Sequence, residues 1–181
     1  MIKVLCIVGS TREGSFNRAL GEAVAKLFSD DFKVEFANLS HLPLYHEALD
    51  KHLPESIVKF KEEIADADSI IFITPEYNRS IPALLKNAID IGSRPAGMSS
   101  WVGKPAGVLG TSMGALGTAL AQQHLRQVLA AVNMPVLPQP DAYVRYHGEL
   151  LAENGDLLDT GTKAHLEKWV SAYEAWVKRF I

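Results

Sequence analysis

A single cysteine, Cys6, stands among 181 residues, so the chain can close no internal disulfide and build no cysteine-based zinc site. That scarcity suits a reducing compartment, and a cytoplasmic location is the expectation. An excess of positive charge is also missing. Against 21 Asp plus Glu there are 18 Lys plus Arg, a net charge of −3, without the electrostatic footprint of a general nucleic-acid binder. His41, His46, His52, His124, His147 and His165 show no metal-ligand spacing, so no metal is expected. Uninterrupted apolar runs of membrane length are absent too. Pro105 to Leu125 lacks Asp, Glu, Lys and Arg, but Gly107, Gly110, Gly114 and Gly117 punctuate it, with Thr111, Ser112, Thr118, Gln122 and Gln123 between. A strand, a turn and a helix start explain this stretch better than a membrane span. No signal-peptide pattern opens the chain, and no repeat or linker divides it; one domain over residues 1–181 is expected.

What remains is ordinary globular composition, 48% hydrophobic and 22% charged, which argues against disorder. Val4 to Val8 and Ser69 to Thr74 are continuous apolar runs, the signature of parallel strands covered on both faces. Ala106 to Leu109 and Met134 to Leu137 are weaker strand candidates, and alternating Lys33 to Phe36 reads as an edge strand. Between them, helical spacing runs over Asn17 to Ser29, Glu55 to Ala67, Pro82 to Ile91, Ala115 to Val132 and Thr162 to Phe180. Asn154-Gly155 reads as a hairpin turn before the last helix. The βαβαβαβαβα order predicts an α/β fold, a parallel sheet with helices on both faces.

In such sheets ligands gather where strands end. The loop after the first strand, Gly9-Ser10-Thr11-Arg12-Glu13-Gly14-Ser15-Phe16-Asn17, offers three hydroxyls, an amide, a guanidinium and the N–H groups of a helix start. Its composition suits a phosphate, though a polar loop with Asn17 capping a helix reads the same way. It is no P-loop, because Ser15 stands where the lysine belongs, and no G-x-G-x-x-G, because Thr11 takes the second glycine position. Cys6 and Arg12 have the C-x5-R spacing of cysteine phosphatases, but Cys6 lies inside an apolar strand and reads as a core residue. After the strand ending at Thr74, Pro75-Glu76-Tyr77-Asn78-Arg79-Ser80 joins a ring, a carboxylate, an amide and a guanidinium between prolines, a set suited to a flat, polar-edged ring system. Gly110-Thr111-Ser112-Met113-Gly114 would add backbone donors beside it.

Gly9 to Asn17, Thr74 to Asn78, and Pro82 with Lys86-Asn87-Ala88-Ile89-Asp90 together resemble the NADPH-dependent FMN reductase family, and Leu42-Pro43-Leu44-Tyr45 and Thr111-Ser112-Met113-Gly114 extend the likeness over most of the chain. The resemblance implies a flavodoxin-like three-layer αβα sandwich with a five-stranded parallel sheet, order 2-1-3-4-5. It implies bound FMN and ping-pong hydride transfer from NADPH or NADH to a small-molecule acceptor: a quinone, free flavin, azo compound or metal oxyanion. Ser10, Thr11, Arg12, Glu13, Gly14, Ser15, Phe16 and Asn17 would hold the FMN phosphate and ribityl chain. Pro75, Glu76, Tyr77, Asn78 and Arg79 would border the isoalloxazine, with Ser112 near its pyrimidine side. No side-chain acid or base is demanded, so no catalytic residue is named. A homodimer or homotetramer is implied, and no nucleic-acid or membrane partner. Arg79, where a tyrosine is frequent, is a candidate contact for a 2′-phosphate; Ile91-Gly92 replaces a frequent tryptophan-containing pair. The alternative is a flavodoxin-type electron carrier with no small-molecule acceptor of its own.

Overall fold

The computed structural model describes residues 1–181. Five strands, β1 (Ile2–Val8), β2 (Phe32–Phe36), β3 (Ser69–Ile73), β4 (Ala106–Ser112) and β5 (Tyr143–Arg145), alternate with five helices. The helices are α1 (Phe16–Ala25), α2 (Glu55–Asp66), α3 (Ala83–Gly92), α4 (Ala119–Ala131) and α5 (Thr160–Val177). All neighbouring strands pair in parallel in the order β2-β1-β3-β4-β5, the order expected of a flavodoxin-like sheet.

Consecutive side chains of a strand point to opposite faces, and here both faces are covered. Leu5, Ile7, Ile70, Phe72 and Val108 join one core with Ile57, Phe60 and Ile64 of α2, Leu85 and Ile89 of α3, and Leu125 of α4. Val4, Cys6, Val8, Ile71, Ile73 and Leu109 join the other with Leu20 and Val24 of α1 and Leu166, Trp169 and Tyr173 of α5. That double burial is why β1 and β3 are apolar throughout. Cys6 lies in this second core, where burial pushes its thiol up to about 12. A phosphatase needs the thiolate, so the core reading stands and the C-x5-R spacing carries no chemistry. Trp101, fully buried between Phe60 and Phe72, donates its indole N–H to the Ile89 carbonyl at 2.8 Å and so anchors the loop after α3.

Two elements differ from expectation. The fifth strand was expected at Met134 to Leu137. That segment makes a single bridge to Ala106, and the ladder resumes only at Tyr143–Arg145, against Gly110 to Ser112. Pro135, Pro138 and Pro140 explain the break, since proline has no N–H to give a ladder. Helix α4 starts at Ala119 rather than Ala115, because Gly117 takes the left-handed backbone (φ +56°). The added residues form a longer loop after β4. Gly155 (φ +80°) sits in the expected turn before α5.

Both chain ends meet the same residue. The Ile2 N–H donates to the Asp31 carbonyl at 2.7 Å, and Lys178 pairs with the Asp31 carboxylate at 3.2 Å. Asp31 just precedes β2, so both termini lie at the sheet edge opposite the strand-end loops.

Candidate functional site

The loop between β1 and α1 closes on itself. The Arg12 N–H reaches the Ser10 hydroxyl at 3.3 Å, the Arg12 Nη2 donates to the Gly14 carbonyl at 2.8 Å, and the guanidinium lies 5.1 Å over the Phe16 ring. Gly14 adopts φ +66°, which turns the chain into the helix. Ser15, as N-cap, accepts from the Arg18 N–H at 3.4 Å. The N–H groups of Gly14, Phe16 and Asn17 have no protein acceptor. Thr11, Arg12, Glu13 and Gly14 are exposed, and Ser10 and Phe16 are half-buried. The chemistry of this set, hydroxyls, a guanidinium and unpaired N–H groups at a helix start, fits a phosphate.

Asn17 does something the sequence does not disclose. Along β4, Gly110 and Ser112 bond toward β5, while Leu109 bonds toward β3. Thr111 also faces β3, but β3 has already turned away at Thr74-Pro75. The Asn17 amide takes the missing strand's place: its Nδ2 donates to the Thr111 carbonyl and its Oδ1 accepts the Thr111 N–H, each at 2.9 Å and buried. The buried side chain of Asn17 is committed to Thr111, whereas its backbone N–H has no protein acceptor. Phe16, next to it, stacks on Tyr146 with centroids 3.7 Å apart, and the Tyr146 N–H donates to the Ser112 carbonyl at 2.8 Å. Tyr146 thus ties the β1–α1 loop to the end of β4. Nothing local in the sequence marks it, because the contact joins opposite ends of the chain.

In the loop after β3, Tyr77 to Ser80 form a two-residue hairpin with mutual N–H to carbonyl bonds of 2.9 and 3.0 Å. Asn78 (φ +51°) and Arg79 (φ +67°) supply its left-handed turn. Pro75 is half-buried, and Tyr77, Asn78 and Arg79 are exposed. Glu76 is turned to α4. One carboxylate oxygen accepts the Leu120 and Ala121 N–H groups, both at 3.1 Å, and the other accepts from Arg79 at 3.2 Å. Glu76 therefore compensates the positive end of α4 and ties the β3 loop to the β4 loop. Within the β4 loop the Ser112 hydroxyl donates to the Gly117 carbonyl, and the N–H groups of Met113 and Gly114 have no protein acceptor.

Three loops thus converge at the carboxyl edge of the sheet, two of them carrying unpaired backbone donors. Tyr77, Met113, Leu116 and Leu120 add exposed apolar surface there. No three metal-ligating side chains cluster anywhere in the chain, and no helix is long and apolar enough to cross a membrane. The chemistry of the three loops together suits a phosphate-bearing ring compound.

Comparison with known proteins gives the same direction. The family model described as NADPH-dependent FMN reductase matches residues 2–148. A 2-hydroxy-1,4-benzoquinone reductase from a Burkholderia species is 44% identical over 177 residues, covering 98% of this chain and 97% of that protein. An NAD(P)H-dependent FMN reductase from Pseudomonas aeruginosa is 39% identical over 179 residues, covering 98% and 96%. Among solved structures, the flavoenzyme NAD(P)H:(acceptor) oxidoreductase of Paracoccus denitrificans superposes with a TM-score of 0.96 at 38% identity, over 99% of both chains.

Proposed function

Because the chain belongs to the NADPH-dependent FMN reductase family, we propose that it carries electrons from NAD(P)H through bound FMN to a quinone, in two successive half-reactions. The observation that carries this reading is the β1–α1 loop, with its unpaired N–H groups and Arg12, set beside two loops of ring-binding composition. Bound FMN supplies the hydride chemistry that the side chains lack.

The chain's part is binding and orientation, with residues 1–181 acting as one domain. Ser10, Thr11, Arg12 and Ser15, with the N–H groups of Gly14, Phe16 and Asn17, hold the phosphate and ribityl end; Glu13 stays in solvent. Pro75, Tyr77, Asn78 and Arg79 border the ring as a rigid hairpin, and Glu76 fixes that hairpin against α4. Ser112 shapes the β4 loop so that the Met113 and Gly114 N–H groups serve as donors for the ring's pyrimidine carbonyls. The relatives named for quinones support that acceptor class. The exposed Met113, Leu116 and Leu120 favour a homo-oligomer in which a second copy covers this rim, a state that sedimentation reads directly. The nicotinamide cosubstrate favours a cytoplasmic setting.

The freshly purified protein is expected to be yellow, to bleach on anaerobic addition of NADPH, and to regain colour with a benzoquinone. Colourless protein that neither retains added FMN nor oxidises NADPH would overturn the reading. Bleaching without quinone turnover would favour an electron carrier instead. Arg12→Ala, which removes a charge-assisted donor, is expected to weaken FMN binding about tenfold. Quenching of FMN fluorescence on titration checks this, and an unchanged Kd would remove Arg12 from the phosphate site.

A further inference from the structure

Between the β1–α1 loop and the chain that follows β2, a cleft of about 400 Å3 opens, a size that accommodates part of a small ligand and one that extends beyond the residues assigned above to the FMN phosphate. Ser10, Thr11 and Arg12 form one wall, Asn38 and Ser40 the other, and Arg18 reaches in from α1; no carboxylate lines it. Two of these side chains are held ready by their neighbours. The Arg18 guanidinium lies 4.1 Å over the Phe36 ring while its Nε donates to Glu22 at 2.6 Å, which leaves both Nη groups without a protein acceptor. Asn38 Oδ1 accepts the Ser40 N–H at 3.0 Å and the Ser40 hydroxyl at 2.7 Å, and its Nδ2 donors are unused. A guanidinium fixed by stacking beside an oriented amide is donor chemistry for a phosphate dianion.

We infer that this cleft takes the 2′-phosphate of NADPH, and that Arg18 and Asn38 make the enzyme prefer NADPH to NADH. The inference rests on the reading of the chain as an NAD(P)H oxidoreductase. The sheet order supplies the reach. β2 lies three strands from β4, roughly 14 Å at the usual spacing between strands, so a dinucleotide lying across the strand ends with its nicotinamide at the β3 and β4 loops brings its adenosine end to β2. Arg79, the candidate the sequence offers for this contact, stands in the β3 loop, beside the nicotinamide end of a dinucleotide so placed and away from β2.

The test uses the FMN-loaded protein and the variants Arg18→Gln, which keeps an alkyl stem over Phe36, and Asn38→Ala. The unaltered enzyme is expected to show a lower KM for NADPH than for NADH. Arg18→Gln should raise the NADPH KM roughly tenfold to a hundredfold, while kcat, the NADH KM and the FMN Kd move by less than about twofold. Asn38→Ala should shift the NADPH KM in the same direction by a smaller factor. Calorimetry gives a readout independent of turnover: adenosine 2′-monophosphate should bind the unaltered protein and not Arg18→Gln, and adenosine itself should bind neither. Equal shifts for both nicotinamides, or no discrimination in the unaltered enzyme, would overturn the assignment. A drop in FMN affinity would give the cleft to the flavin's own phosphate and also overturn it. An unaltered protein that oxidises neither nicotinamide defeats the underlying reading instead, and the calorimetric arm then decides the anion site on its own.

Discussion

Asn17→Ala is expected to destabilise the protein before any ligand is considered. The substitution strips both partners from Thr111, whose N–H and carbonyl are buried and face the place β3 has vacated. Each orphaned backbone group costs about 1–3 kcal/mol, so a loss of about 2–6 kcal/mol is expected, a fall in Tm of roughly 4–24 °C for a chain of this size. Thermal unfolding of flavin-free protein measures it, and hydrogen exchange at the Thr111 amide, expected to accelerate in the variant, localises it. A side chain whose only task was to contact ligand would leave the flavin-free Tm unchanged, and that outcome would refute the staple. Asn17→Asp keeps the acceptor for the Thr111 N–H but sets a carboxylate against its carbonyl, so an intermediate loss or worse is expected.

Gly110→Ala should produce the second large effect, by the opposite cause. A methyl group at Gly110 would sit 2.1 Å from the Thr74 carbonyl oxygen and 2.5 Å from the Thr118 hydroxyl. The hydroxyl can rotate away; the carbonyl, at the end of β3, cannot. Overpacking of this kind costs about 1–3 kcal/mol. Relief requires the ends of β3 and β4 to part where the Pro75 and Ser112 loops begin, so FMN affinity should fall at least about tenfold in step. Denaturant unfolding and FMN titration read the two effects separately. Gly148→Ala, at a position with open space around the added methyl, is the matched control and should stay within about 0.5 kcal/mol. Wild-type stability in Gly110→Ala would show that the two strand ends are not rigidly apposed.

These two residues also mark how far the sequence can be read. The sheet is legible because double burial writes Val4 to Val8 and Ser69 to Ile73 as unbroken apolar runs, and because strand-to-helix order limits the topology. The loops are legible by composition, since each follows a recognisable strand. The split of the last strand is not, for Met134 to Leu137 has strand-like residues and only the prolines argue against it. Nor are the tasks of Asn17 and Glu76. Both look like ligand contacts in a polar loop, and both spend their side chains on distant backbone, Asn17 on Thr111 and Glu76 on the first turn of α4. Local pattern records which groups are available; tertiary contact decides which are already taken. Tyr146 belongs to the same category, because its stacking on Phe16 exists only once β5 lies beside β4.

The meeting of both termini at Asp31 bears on how the molecule can be handled. A tether at Met1 or at Ile181 leaves from the edge remote from the cleft, so a surface anchor or an added domain at either end directs the strand-end loops outward. Immobilised that way, the protein would present its binding face to the solution. A circular permutant joining the two ends by a short bridge, and opened at the Asn154-Gly155 turn, would leave every loop of the site uncut.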